Sequence, residues 1–110
     1  MQLGTKTTSV INEMVQRIVG SVQPVKIILF GSYARGTAGP DSDVDLMVVV
    51  KKTMSKRKMT VGIYKLLAGM GLPKDIVVVT LEEIEKYATI AGTLIKPALR
   101  EGKVLYEQKG

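Results

Sequence analysis

Apolar residues in this chain fall into blocks whose spacing alternates between that of a helix and that of a strand. Val10, Ile11, Met14, Val15, Ile18, Val19 and Val22 recur at the three- and four-residue intervals of one helix face. Thr8 and Ser9, just ahead of them, can accept hydrogen bonds from the first free N–H groups of a helix. An opening amphipathic helix is predicted, closed by Pro24. The next run, Val25 to Phe30, is short, β-rich and bounded, the pattern of a buried strand. A turn-rich stretch from Gly31 to Ser42 separates it from a second such run, VDLMVVV from Val44 to Val50, which fades into Lys51 and Lys52. Met59, Ile63, Leu66, Leu67 and Met70 then return to helical spacing, with Gly69, Gly71 and Pro73 to close the helix. A third strand, DIVVVT, starts at Asp75. Thr80 and Glu83 have capping-box spacing and predict a helix from Leu81 to about Ala88. The tail carries a helical segment around Leu94 to Glu101, disturbed by Pro97 and stopped by Gly102, and then a short apolar piece from Val104 to Tyr106.

No repeat, low-complexity tract or long linker divides the chain, so a single domain over residues 1–110 is expected. The dozen residues between the first two strands, with a short helix and the Gly39-Pro40 turn, can return the second strand antiparallel beside the first. The helical segment before the third strand is long enough for a right-handed crossover, which makes strands two and three parallel. The fold class predicted is therefore α/β (α+β), a small mixed sheet flanked by helices.

Composition narrows the chemistry. With 110 residues and 45% hydrophobic content the chain can build one real core. It has no cysteine and no histidine, which removes disulfides, thiolate metal sites and the commonest general base. Any metal must be held by oxygen, and oxygen-only ligation favours Mg²⁺ or Mn²⁺ over Zn²⁺. No apolar run approaches the roughly 20 residues of a membrane span, and MQLGTKTTSV does not read as a signal peptide, so a cytoplasmic protein without a membrane is expected. Sixteen Lys and Arg against ten Asp and Glu give a formal charge of +6, suited to an anionic ligand or partner and equally to a plain basic surface. Aromatic residues, at 5%, are too scarce to stack bases, which argues against direct nucleic-acid binding.

The informative stretch is GSYARGTAGPDSDVDL, Gly31 to Leu46, between the first two strands. A Gly-Ser pair, ten residues and an Asp-x-Asp would arise by chance in a chain of this length on the order of once in a thousand. Asp43 and Asp45, two apart on an extended chain, project from one face, roughly 7 Å apart along the backbone. Asp75 starts the third strand as Asp43 starts the second, bringing a third carboxylate to the same end of the sheet. Three carboxylates without histidine or cysteine repel one another unless a hard divalent cation neutralises them. Gly31 lets the backbone approach a phosphate closely, Ser32 can add its hydroxyl, and the N–H groups of the short helix that follows point the same way.

This stretch, together with Asp75 in DIVVVT, closely resembles the minimal nucleotidyltransferases of the DNA polymerase β-like superfamily, from the first strand to the tail. The resemblance implies that Asp43 and Asp45 bind two Mg²⁺ (or Mn²⁺) ions. Asp75 then completes the metal site and helps activate an attacking hydroxyl, while Gly31 and Ser32 hold the β and γ phosphates of ATP. Short variants of this kind resemble the antitoxin halves of toxin–antitoxin pairs, whose partners are helical HEPN-domain ribonucleases and whose substrate is a partner tyrosine that receives AMP.

Each residue also has a plainer role. Asp43 and Asp45 can be solvated carboxylates at a strand start, Asp75 can sit at a loop boundary, Ser32 can cap a short helix, and Arg35 can contact a phosphate or the acceptor or simply face water. Tyr33, Tyr64, Tyr87 and Tyr106 read as packing residues with wet hydroxyls. The basic run Lys51, Lys52, Lys56, Arg57 and Lys58 is either a solvated loop and helix start or a dock for an acidic partner or nucleic acid. Two other functions stay open beside protein adenylylation: a small-molecule nucleotidyltransferase of the aminoglycoside-modifying type, for which the chain lacks substrate-binding structure, and a non-catalytic subunit that neutralises a toxin by binding alone.

Overall fold

In the computed structural model, which describes residues 5–87 and 101–109, the first apolar stripe winds into helix α1, Thr5–Val22. It buries Ile11, Met14, Val15 and Ile18 against the sheet. Each such side chain taken out of water contributes about 1.5–3 kcal/mol. The helix begins ahead of Thr8 and Ser9, which therefore lie inside it rather than capping it. Hydroxyl residues fit both places, and nothing apolar before Val10 marks the true first turn.

Strand β1 is Lys26–Phe30 and strand β2 is Val44–Val50; they pair antiparallel, joined through helix α2, Gly31–Arg35. Helix α3, Lys56–Leu66, crosses over to strand β3, Lys74–Thr80, which runs parallel to β2. Helix α4, Leu81–Tyr87, follows without a break. The apolar piece near the C-terminus is strand β4, Lys103–Glu107, antiparallel on the far side of β1, so the order across the sheet is β3-β2-β1-β4. The expected antiparallel and parallel pairings are both present. Ala88 and most of the helical segment expected from Leu94 to Glu101 lie outside the described residues.

The sheet has two apolar faces because alternate residues of each strand point to opposite sides. Val44, Leu46, Val48 and Val50 of β2 join Ile27, Leu29, Ile76 and Val78 in the core packed by α1 and α3. Met47 and Val49 join Ile28, Phe30 and Val79 on the other face, where Ile84 of α4 packs. Burial on both sides explains why VDLMVVV reads as an apolar run interrupted only by Asp45 near its start.

Helix α3 ends at Leu66, one turn short of the stretch that its apolar spacing predicts. Gly69 and Gly71 both adopt positive φ, so the chain has left the helix before Met70, although Met70 still packs on the core. Arg17 of α1 donates to the Leu66 carbonyl at 3.0 Å, placing a cation at the C-terminal end of α3 and tying the two helices together.

The start of α4 is the predicted capping box in both directions. Glu83 N–H donates to Thr80 Oγ1 at 3.2 Å, and Thr80 N–H donates to Glu83 Oε1 at 3.1 Å. Lys56 adds an ion pair to Glu83 at 2.6 Å, linking the starts of α3 and α4. Partial burial pushes the Glu83 carboxyl up, but hydrogen bonds from Lys56 and Thr80 outweigh it and hold the group below its ordinary value. Replacing it, Glu83→Ala, is expected to cost about 1 kcal/mol, visible as a lower Tm at neutral pH. Because the folded value is depressed, the wild-type advantage is full above the unfolded value and fades as pH falls through the folded one. Thermal melts of both proteins across that range check the sign.

Candidate functional site

Strand pairing gathers the motif residues at one end of the sheet. Phe30, the last residue of β1, stands opposite Asp45 on β2, and Asp45 stands level with Asp75 on β3. Residues in register on neighbouring strands lie about 4.8 Å apart and send their side chains to the same face. Asp45 shares its parity with Met47 and Val49, and Asp75 shares its parity with Val77 and Val79, so both carboxylates rise from the α4 face. Asp43 sits exposed just ahead of β2.

The register differs by one step from the sequence expectation. Lys74, not Asp75, opens β3, and it faces Val44, so Asp75 pairs with Asp45 rather than with Asp43. The Pro73 carbonyl accepts a 2.8 Å hydrogen bond from Val44 N–H and locks this alignment.

Gly31 is held against Asp45 by its backbone. Its φ is +72°, in the left-handed region, and a Cβ built there would overlap Asp45 Oδ2 and lie 3.0 Å from Asp45 Cγ. Any other residue would have to push that carboxylate aside. The turn lets α2 start immediately after β1, with Ser32 half-buried in its first turn and no side-chain cap from Phe30. Gly36, with φ +76°, ends the helix and donates its N–H to the Ser32 carbonyl. Arg35 lies in the last turn, exposed.

Charge couples these groups. Burial first, then the negative charges of Asp75 and Asp43, push the Asp45 carboxyl above its ordinary value, while Arg35 pulls the other way. Asp45 therefore sits within the field of the other three. Among the described residues no three acidic groups are drawn tightly enough together to form a ready-made metal cage. The carboxylates are aligned, not closed. As a donor set they fit a hard divalent cation: oxygen ligands only, with a mutual repulsion that a cation would relieve.

One contact escaped the sequence. Tyr64 of α3, expected to be a packing residue, donates its hydroxyl to Asp75 Oδ1 at 3.3 Å and accepts Ile76 N–H at 2.9 Å. Its hydroxyl thus joins the Asp75 side chain to the free edge of β3. Only an alignment of α3 with β3 could have revealed it, because eleven residues and a turn separate the two side chains.

Known proteins resemble the chain in both sequence and fold. Residues 9–105 match the family model described as a nucleotidyltransferase domain. Two provisionally named protein adenylyltransferases of Methanocaldococcus jannaschii are 43% identical over 74 residues and 42% identical over 53 residues. The first match covers 66% of this chain and 42% of that protein, the second 48% and 52%, so the chain spans about half or less of these curated relatives. The crystal structure of a provisionally named nucleotidyltransferase from Sulfolobus solfataricus superposes with a TM-score of 0.65 at 19% identity, over 98% of this chain and 93% of that one. A chain of a toxin–antitoxin crystal structure with AMP-PNP superposes with a TM-score of 0.57 at 21% identity, over 89% of this chain and 74% of that one. At such identities the structural likenesses establish the fold.

Proposed function

The chain belongs to the nucleotidyltransferase domain family, and from that premise we propose that it transfers the AMP of ATP to a hydroxyl of a partner protein, a tyrosine of a helical HEPN-type toxin. The observation that carries the proposal is the meeting of Gly31 with Asp45, beside Asp75, at one end of the sheet. A tight left-handed turn and two carboxylates in register stand side by side there, which supports a triphosphate and a hard cation as the ligands. The names of the Methanocaldococcus relatives support the reaction class, and the toxin–antitoxin likeness supports the kind of partner.

In this proposal Gly31 and Ser32 hold the β and γ phosphates, with Arg35 close enough to share their charge. Asp43, Asp45 and Asp75 would hold two Mg²⁺ ions. Bound there, the ions would neutralise the triphosphate and lower the cost of deprotonating the attacking hydroxyl. Asp75 takes the proton of the acceptor hydroxyl or orients it. The hydroxyl oxygen then bonds to the α-phosphorus, the bond from that phosphorus to the bridging oxygen breaks, and pyrophosphate leaves with the electron pair. Positioning of acceptor and triphosphate supplies much of the rate.

The experiment is intact-mass spectrometry of a candidate partner, a helical protein that forms a complex with this chain, after incubation with the protein, ATP and Mg²⁺. An AMP-sized addition on a tyrosine is expected, absent when Mg²⁺ is chelated. No addition with a folded, complex-forming pair would leave a binding-only neutraliser in its place.

A further inference from the structure

The outward face of α3 is unlike a helix face built only for water. Arg57, Lys58, Val61, Gly62, Tyr64 and Lys65 are all exposed along it. Val61 is 46% exposed, and Met54, just ahead of the helix, is fully so. Between Asp45 and Asp75 the chain carries Lys51, Lys52, Lys56, Arg57, Lys58, Lys65 and Lys74 and no acidic residue. Lys56 is paired with Glu83, whereas Arg57, Lys58 and Lys65 have no ion pair among the described residues. A solvated helix face normally mixes the two signs.

Gly62 is a second, independent observation. Glycine in a helix interior weakens the helix relative to alanine. Here a Cβ would meet nothing within 4 Å among the described residues, so their packing does not call for it. It sits between two hollows. One, of about 450 Å³, is lined by Val22, Met54, Met59 and Leu66; the other is flanked by Val61 and Lys65. A missing side chain between two hollows lets another helix approach closely.

We propose that this face receives an acidic amphipathic helix of a partner protein. Its apolar ridge crosses α3 at Gly62, between Met54 and Val61, and its carboxylates meet Arg57, Lys58 and Lys65. Apolar Met54 and Val61 amid the cations favour a protein helix over a nucleic-acid backbone, whose interfaces are polar and wet. They are also too few for the broad apolar face of a membrane-surface helix. The same face ends at Tyr64, whose hydroxyl is bonded to Asp75, so a partner docked here lies next to the carboxylate end of the sheet. The inference deepens the partner assignment above and rests on it only for what the docked protein receives.

Calorimetry and NMR amide-shift mapping test this on the full chain without ATP or metal. The probe is a helical peptide of about 20 residues, long enough to hold a helix, with leucines on one face and glutamates on the other. Its scrambled version, single-stranded oligothymidylate and phosphatidylglycerol vesicles are the comparisons. The helical peptide is expected to bind roughly tenfold more tightly than the scrambled one, to shift Met54, Lys58, Val61, Gly62 and Lys65, and to weaken as salt rises. Gly62→Ala should raise Tm by about 4 °C yet weaken the peptide roughly tenfold, an opposition that a structural role cannot produce. Asp45→Asn should leave peptide binding intact, which keeps this test separate from the fate of the transfer reaction. Equal binding of the scrambled peptide, tighter binding of oligothymidylate or vesicles, shifts elsewhere, or undiminished binding by a stabilised Gly62→Ala would each overturn the proposal.

Discussion

Asp45→Asn is expected to lower AMP transfer by roughly 10²- to 10³-fold or more while making the metal-free protein more stable, not less. The loss follows from the position of Asp45 between Phe30 of β1 and Asp75 of β3, beside Gly31, where it would hold both cation and substrate. Electrostatic stabilisation of that kind is worth several kcal/mol of barrier. The gain in stability follows from the same geometry. Burial, then Asp75 and Asp43, raise the Asp45 carboxyl, so its ionised form is a burden on the folded state. A raised acid binds its proton more tightly when folded than when unfolded, and the burden is therefore present above the folded value and relieved as pH falls through it. The amide carries no charge to relieve. Thermal melts without metal should place Asp45→Asn above wild type at neutral pH, with the difference shrinking on acidification. A variant that melts well below wild type would instead make Asp45 a structural residue.

Gly31→Ala is expected to damage activity almost as much, through a single methyl group. The cost to the fold is the left-handed φ of +72°, about 1–2 kcal/mol for a residue with a Cβ, so the variant should remain folded with a Tm several degrees lower. The cost to function comes from the overlap of the new Cβ with Asp45 Oδ2. That carboxylate is the end of a side chain and can swing away, which spares the fold but misplaces the proposed ligand. Misplacement of a reacting or liganding group by about 1 Å costs roughly 10²-fold in rate. Steady-state kinetics beside a melting curve separates the two effects. Wild-type activity in Gly31→Ala would mean that the close approach of backbone and carboxylate has no part in the reaction.

Much of this arrangement was legible from residue pattern because the decisive signals are local. VDLMVVV announces β2 with its observed bounds, since a strand buried on both faces is apolar along most of its length and here departs from that only at Asp45. Thr80 and Glu83 announce α4 because a capping box is a contact between residues three apart. The Gly31-Ser32 and Asp43-x-Asp45 pairs fall at facing strand ends because the loop between β1 and β2 is short enough to bring them there. What stayed hidden depends on distant parts of the chain. The alignment of Asp75 with Asp45 is fixed by the bond from Val44 to Pro73, a register that loop length alone does not determine. The place of β4 beside β1 joins segments some seventy residues apart, and its three apolar residues carry no sign of their partner. Tyr64 looked like any packing tyrosine until α3 was laid along β3. The one-turn overrun of α3 came from apolar residues that serve the core from a turn as well as from a helix.

The measurement that bears most directly on the account follows the label of ATP into the partner protein. The protein, the proposed helical partner and Mg²⁺ are incubated with ATP radiolabelled on either the α- or the γ-phosphate, using wild type and Asp45→Asn in parallel. Transfer of AMP at the end of the sheet predicts that only the α label becomes attached to the partner, and only with wild type. Attachment of the γ label, or α labelling that persists in Asp45→Asn, would contradict it.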